Sequence, residues 1–201
     1  MATSGSVFEL GECDVDVWVL PLEHPDRKRR RELAHLAERR LLSRYLGVDE
    51  EAVEIVTGDY GKPRVNGDRV RFNLSHSGAW AMLAVSGGLE VGIDLQGPHP
   101  AASKRWFADR ICTDRERAAL GAAPEPSALL RLWTRKEAVI KARGDLSYVS
   151  AGEVDVLEDA VAGGWRCTDL PFTWAPDHHA AVALPRRPGA SLALRGLWPG
   201  R

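Results

Sequence analysis

The stretch FNLSHSGAWAMLAVSGGLEVGIDLQ, residues 72–96, decides the fold. Its first part predicts paired strands over 70–75 and 79–86, joined by a turn containing Ser77 and Gly78. A further strand is expected through 90–95. Alternation puts Phe72 and Leu74 on one face of the first strand and Asn73 and Ser75 on the other, with His76 at the strand's end. In GIDLQ, residues 92–96, it turns Ile93 and Leu95 to the core and sets Asp94 and Gln96 together on the opposite face. Gly92 removes a side chain just before the acid, so another backbone or a ligand can come close.

Upstream, VDVWVL at 15–20 alternates Val15, Val17 and Val19 against Asp16 and Trp18, the period of a half-buried strand. Asp26 caps a helix expected through about residue 46, which Gly47 ends, and Leu33, Leu36, Ala37 and Leu41 define its inward face. A short strand over 53–57 and the turn-rich GDYGKPRVNGD follow. Downstream, helices are expected near 103–109, 113–121 (capped by Thr113) and 126–143. The tail predicts strands near 153–157, 164–169, 171–175, 179–184 and 191–197. Strand–helix–strands followed by strand–helices–strands gives an α+β fold class, with an N-terminal half at 1–88 and a C-terminal half at 89–201. No linker rich in Pro, Gly or Ser separates the halves, so they are expected to pack tightly.

Of the 201 residues 44% are hydrophobic and 27% charged, a balance that supports a folded core. A formal net charge of −1 offers no overall field for nucleic acid or a membrane. Cys13, Cys112 and Cys167 form neither a CxxC pair nor a disulfide framework, which suits a reducing cytosol. With no signal-peptide pattern and no long apolar run, a cytoplasmic location is expected.

Along LWTRKEAVIKARG, residues 132–144, Trp133, Glu137 and Lys141 share one helical stripe. A solvated Glu–Lys pair is the plain reading. The Trp argues for a partly buried stripe, where the acid and the amine need partners that a divalent cation and a phosphate would supply. His76, among small hydroxyl residues at a strand end, suits a phosphate, as does Lys62 presented from the turn YGKP at 60–63. Arg27 to Arg31 read Arg-Lys-Arg-Arg-Arg, followed in the same helix by Arg39, Arg40 and Arg44. Without a broadly basic surface, this run fits a compact polyanion better than a duplex.

Taken in order, YGKP, FNLSHSG, GIDLQ and LWTRKEAVIKARG resemble the Sfp-type 4′-phosphopantetheinyl transferases, in the branch with Trp before Lys-Glu-Ala. VDVWVLPL at 15–22 and HHAAVAL at 178–184 extend the resemblance over nearly the whole chain. It implies a pseudo-twofold arrangement of the two halves, with coenzyme A in the cleft between them. It also implies transfer of 4′-phosphopantetheine to a serine of an apo acyl or peptidyl carrier protein, releasing adenosine 3′,5′-bisphosphate. By position, Asp94, Glu137 and Gln96 would hold Mg²⁺. Asp94, Glu137 and Lys141 would be catalytic. Arg31, Lys62, Pro63, Ser75, His76 and Lys141 would hold the coenzyme. A monomer is implied, with neither nucleic acid nor membrane as partner. Gln96 departs from the Glu that many members carry: it offers a neutral carbonyl oxygen and cannot be a base. Two other readings stand beside this one: a catalytically impaired coenzyme A or nucleotide binder of the same fold, and a nucleic-acid module using the basic helix 27–44.

Overall fold

The computed structural model describes residues 7–58, 61–67, 69–144 and 151–198. Tyr60, the first residue of YGKP, lies outside the described residues. The chain runs β1 (Asp14–Pro21), α1 (Arg27–Leu46), β2 (Ile55–Thr57), β3 (Pro63–Val65), β4 (Arg71–Ser77), β5 (Trp80–Ser86), β6 (Gly92–Gln96), α2 (Arg105–Ile111), α3 (Asp114–Leu120), α4 (Pro126–Arg143), β7 (Ala160–Val161), β8 (Trp165–Leu170), β9 (His179–Pro185) and β10 (Ser191–Leu197). Local chemistry sets the helix ends. Asp26 accepts from the Arg29 amide at 2.8 Å, and Gly47 closes α1 in the left-handed region at φ 66°. Thr113 and Glu116 form a capping box at the start of α3.

One four-stranded sheet has the order β10-β1-β5-β4, and a second has β6-β9-β8-β7. α1 covers the first sheet through Ala34, Leu41, Leu42 and Leu46 against Leu20, Phe72 and Leu83. The other face of that sheet, with Val15, Val17, Val19, Met82 and Ala84, packs on Ile93, Leu95, Val182 and Leu184 of the second. α4 covers the far face of the second sheet through Ala138, Val139 and Ala142 against Cys167, Ala181 and Ala183. The result is a mixed α+β fold layered helix, sheet, sheet, helix. Among the described residues no helix is long and apolar enough to cross a membrane.

Several expectations change. β1 is buried on both faces rather than half-buried, because Asp16 points inward and is only 2% exposed. It is tolerated there by Tyr45 Oη and Arg195 Nε, each donating at 2.8 Å. Leu36 is 42% exposed, since it lies about 200° around α1 from the buried Ala34. β3 pairs with β2 inside the stretch read as turns, and 171–175 forms no strand. Residues 153–157 form no strand either, although Val154 and Val156 are buried. Their carbonyls are taken by side chains of α4: Lys136 Nζ donates to Val154 O, and Arg135 Nε to Val156 O at 2.8 Å. The last strand, β10, lies parallel to β1, from Asp14 beside Ser191 to Val19 beside Leu197. Residues 191–197 thus complete the sheet of the first half, not that of the second.

β4 and β6 belong to different sheets yet run side by side. Asn73 Oδ1, Ser75 Oγ and Ser77 Oγ accept from the amides of Ile93 (2.8 Å), Leu95 (3.1 Å) and Gly97 (2.8 Å).

Candidate active site

Asp94 is 1% exposed, and a buried carboxylate needs donors. Its Oδ1 accepts from Ser75 Oγ at 2.8 Å and Lys141 Nζ at 2.5 Å; its Oδ2 accepts from Gln96 Nε2 at 3.0 Å. Gln96 thereby uses one amide hydrogen on Asp94 and keeps its carbonyl oxygen.

Gly92 explains how α4 reaches this strand. A Cβ there would sit 2.1 Å from Ala138 O and 2.3 Å from Ala142 N, so strand and helix touch backbone to backbone. That contact lies within the helical turn carrying Glu137 and Lys141, which brings both to Asp94. Glu137 is half-buried, and no described residue hydrogen-bonds its carboxylate. Burial pushes its pKa up, the charge of Asp94 pushes it further, and Lys141 opposes.

On β4, Ser75 and His76 point to opposite faces, Ser75 toward Asp94 and His76 toward α1. His76 titrates below the ordinary histidine value, first through burial and then through the positive charges of Arg31, His35, Lys141 and Arg27. These cations form an arc from the start of α1 to α4. Arg29 pairs with Glu32 at 2.6 Å, and Arg30 donates to the carbonyls of His24 (2.8 Å) and Pro25 (2.9 Å). The first turn of α1 holds no acid, so its cations oppose the helix dipole, and an anion would relieve them.

Lys62 and Pro63 stand apart from Asp94. Lys62 Nζ donates to Glu90 at 2.6 Å and to Ala142 O at 3.0 Å, which ties its turn to the end of α4. With Arg64, Arg71 and Arg143 they line a cavity of about 260 Å³. The structure thus gathers Asp94, Gln96, Glu137, Lys141 and Ser75 at one point, and links them through Lys141 to His76 and Arg31.

Sequence reasoning missed Lys136 and Glu116, a fully buried ion pair at 2.6 Å. Lys136 also donates to Ala151 O at 2.9 Å, while Glu116 accepts from the Val156 amide at 2.9 Å. The capping box was the visible signal for Glu116; its buried partner in the next helix was not. Asn73 and Ser77 were also missed as functional neighbours of β6.

The donor set fits Mg²⁺. That ion takes hard oxygens and is commonly bound by one or two carboxylates plus substrate phosphates. Asp94 and Glu137 are two such carboxylates, Gln96 adds a carbonyl, and Glu137 lacks any competing donor among described residues. Among those residues no cluster of three or more His, Cys, Asp or Glu occurs, which leaves the remaining ligands to substrate and water.

Residues 90–183 match the family described as the 4′-phosphopantetheinyl transferase superfamily. The 4′-phosphopantetheinyl transferase AcpT of Salmonella typhi is 37% identical over 164 residues, covering 73% of this chain and 81% of that protein. AcpT of Escherichia coli K12 is 36% identical over 155 residues, 71% of this chain and 78% of that protein. The transferase Sfp of Bacillus subtilis is 27% identical over 130 residues, 60% and 54%.

Proposed function

The chain belongs to the 4′-phosphopantetheinyl transferase superfamily and transfers 4′-phosphopantetheine from coenzyme A to carrier proteins; from that premise we propose how its cleft performs the reaction. Asp94 and Glu137 would hold Mg²⁺, with the Gln96 carbonyl as a third, neutral oxygen. When bound, the ion neutralises the diphosphate and stabilises charge moving onto the leaving oxygen. Lys141 steadies the same diphosphate. His76 and Arg31, with Arg27 beside them, take the nucleotide phosphates, and Lys62 and Pro63 flank the nucleotide. The carrier serine oxygen forms a bond to the phosphorus bearing pantetheine as the bond from that phosphorus to the bridging oxygen breaks. Glu137 accepts the serine proton directly or through a water. The products are holo-carrier and adenosine 3′,5′-bisphosphate.

One observation carries this reading: Glu137, without a hydrogen-bond donor among the described residues, is brought from α4 to the buried Asp94 of β6. The finer assignment is the Sfp-type branch with Trp133 before the Lys-Glu-Ala triplet. A pseudo-twofold relation between the halves is supported by matching strand orders, β1-β5-β4 and β6-β9-β8. We keep the division near residue 88 as part of this reading, with β10 assigned to the N-terminal half because it joins the first sheet. The reading includes a monomer, since both cleft walls come from one chain, and a cytoplasmic location, which suits the free thiols of Cys13, Cys112 and Cys167. Neither nucleic acid nor a membrane is a partner.

The test is to mix the protein with coenzyme A, Mg²⁺ and an apo carrier and weigh the carrier. A gain of one phosphopantetheine that disappears in EDTA is expected; no gain with several acyl and peptidyl carriers would favour a mere coenzyme binder. A second outcome concerns Gln96→Glu. The added carboxylate is expected to lower the Mg²⁺ concentration for half-maximal activity while transfer persists. Loss of transfer would show that the amide donor to Asp94 is essential.

A further inference from the structure

We propose that Asn73, Ser75 and Ser77 form a side-chain ladder that fastens the free edge of β6 and so sets the Asp94 carboxylate, with Ser75 a positioning residue. A strand has two edges. One edge of β6 is paired with β9, which faces Gly92, Asp94 and Gln96 with Ala183, Ala181 and His179. The amides of Ile93, Leu95 and Gly97 point the other way, toward β4, whose backbone belongs to the other sheet. Buried amides without acceptors are costly. Here the acceptors are side chains, and they recur at every second residue of β4 as the amides do at every second residue of β6. The polar positions of FNLSHSG are therefore matched in period to the strand they hold.

Ser75 is the central rung. A hydroxyl has one hydrogen to donate and two lone pairs. The hydrogen goes to Asp94 Oδ1 at 2.8 Å. The lone pairs take the Leu95 amide at 3.1 Å and Lys141 Nζ at 3.3 Å. The residue is 6% exposed, and all three of these bonds run within the protein. Ser75 acts through Asp94. Because His76 follows on the same strand, the ladder also fixes the spacing between the phosphate arc on one face and Asp94 on the other.

The claim about the ladder stands on hydrogen bonds alone; the claim about metal binding rests on the transferase reading given above. Amide hydrogen exchange of the folded protein tests the first. Ser77→Ala is expected to speed exchange at Gly97, and Ser75→Ala at Leu95, by about tenfold, leaving Asp94 and Gln96 protected by β9. Unchanged exchange in the folded variants overturns the ladder. Metal and coenzyme titrations test the second. Ser75→Ala is expected to raise the Mg²⁺ requirement about tenfold while coenzyme A affinity in EDTA stays at the wild-type value. Ser75→Thr, which keeps the hydroxyl, is expected to restore both exchange and Mg²⁺ dependence. If Ser75→Ala weakens coenzyme A binding in EDTA as much as Lys141→Ala does, the positioning role is overturned. Should the wild-type protein transfer nothing, the exchange pattern still decides for or against the ladder.

Discussion

Glu137→Gln lowers transfer by about a thousandfold or more and, in the same protein, raises the melting temperature measured in EDTA at neutral pH. The two effects have one origin. The amide keeps the shape of the side chain but gives up its charge, so it holds a cation weakly and takes no proton. In the metal-free wild type that same charge is a burden. Burial disfavours it first, and the nearby Asp94 disfavours it further. A carboxylate whose folded pKa is raised contributes stability below its ordinary value near 4.5, and loses it as pH rises through the folded value. At neutral pH wild type therefore bears the cost and the Gln variant does not. The difference in melting temperature is expected to shrink as the pH is lowered toward 4.5. Coenzyme A with Mg²⁺ should stabilise wild type strongly and the variant weakly. Full turnover by the variant, or a lower melting temperature in EDTA, would remove Glu137 from its assigned role.

Gly92→Ala is expected to cost about 3 kcal/mol of stability, read from urea unfolding, with loss of activity in whatever fraction still folds. An ordinary core overpacking pushes against side chains that can turn aside. Here the added methyl would meet Ala138 O at 2.1 Å and Ala142 N at 2.3 Å, both main-chain atoms. Those two atoms are four residues apart in α4 and are the acceptor and donor of one helical hydrogen bond. The methyl would press on the turn that holds Glu137 and Lys141, so relief requires α4 to lift off β6. A variant with wild-type stability and activity would show that the helix has room to withdraw, and that its contact with β6 is not needed for catalysis.

Much of this site was legible because period assigns faces. Asp94 with Gln96, and Trp133 with Glu137 and Lys141, follow from the two-residue and 3.6-residue repeats, and Gly92 was open to a close approach. What period cannot supply is the partner. Lys62 looked presented from its turn, but Glu90 and the Ala142 carbonyl hold it, and neither is a neighbour in sequence. Val154 and Val156 alternate as a strand does, yet their carbonyls meet Arg135 and Lys136 of α4, so the pattern is that of an extended segment without a ladder. Ser75 reads as a phosphate ligand from its place beside His76, and its bonds to the amide of Leu95 and the acid of Asp94 lie in a strand that the sequence order does not place next to it. Leu192 and Leu194 gave no hint that their strand would cross to the opposite end of the chain.

That crossing governs the order of events during synthesis. β1 is made well before β10, the strand beside it in the finished sheet. Until residues 191–197 emerge, β1 offers an unpaired edge, and the sheet that carries His76 waits incomplete. The contact between β1 and β10 brings together residues 177 apart in sequence, Asp14 and Ser191, a slow step in folding. The sheet that presents His76 is therefore complete only after residues 191–197 have been made and have crossed back to β1.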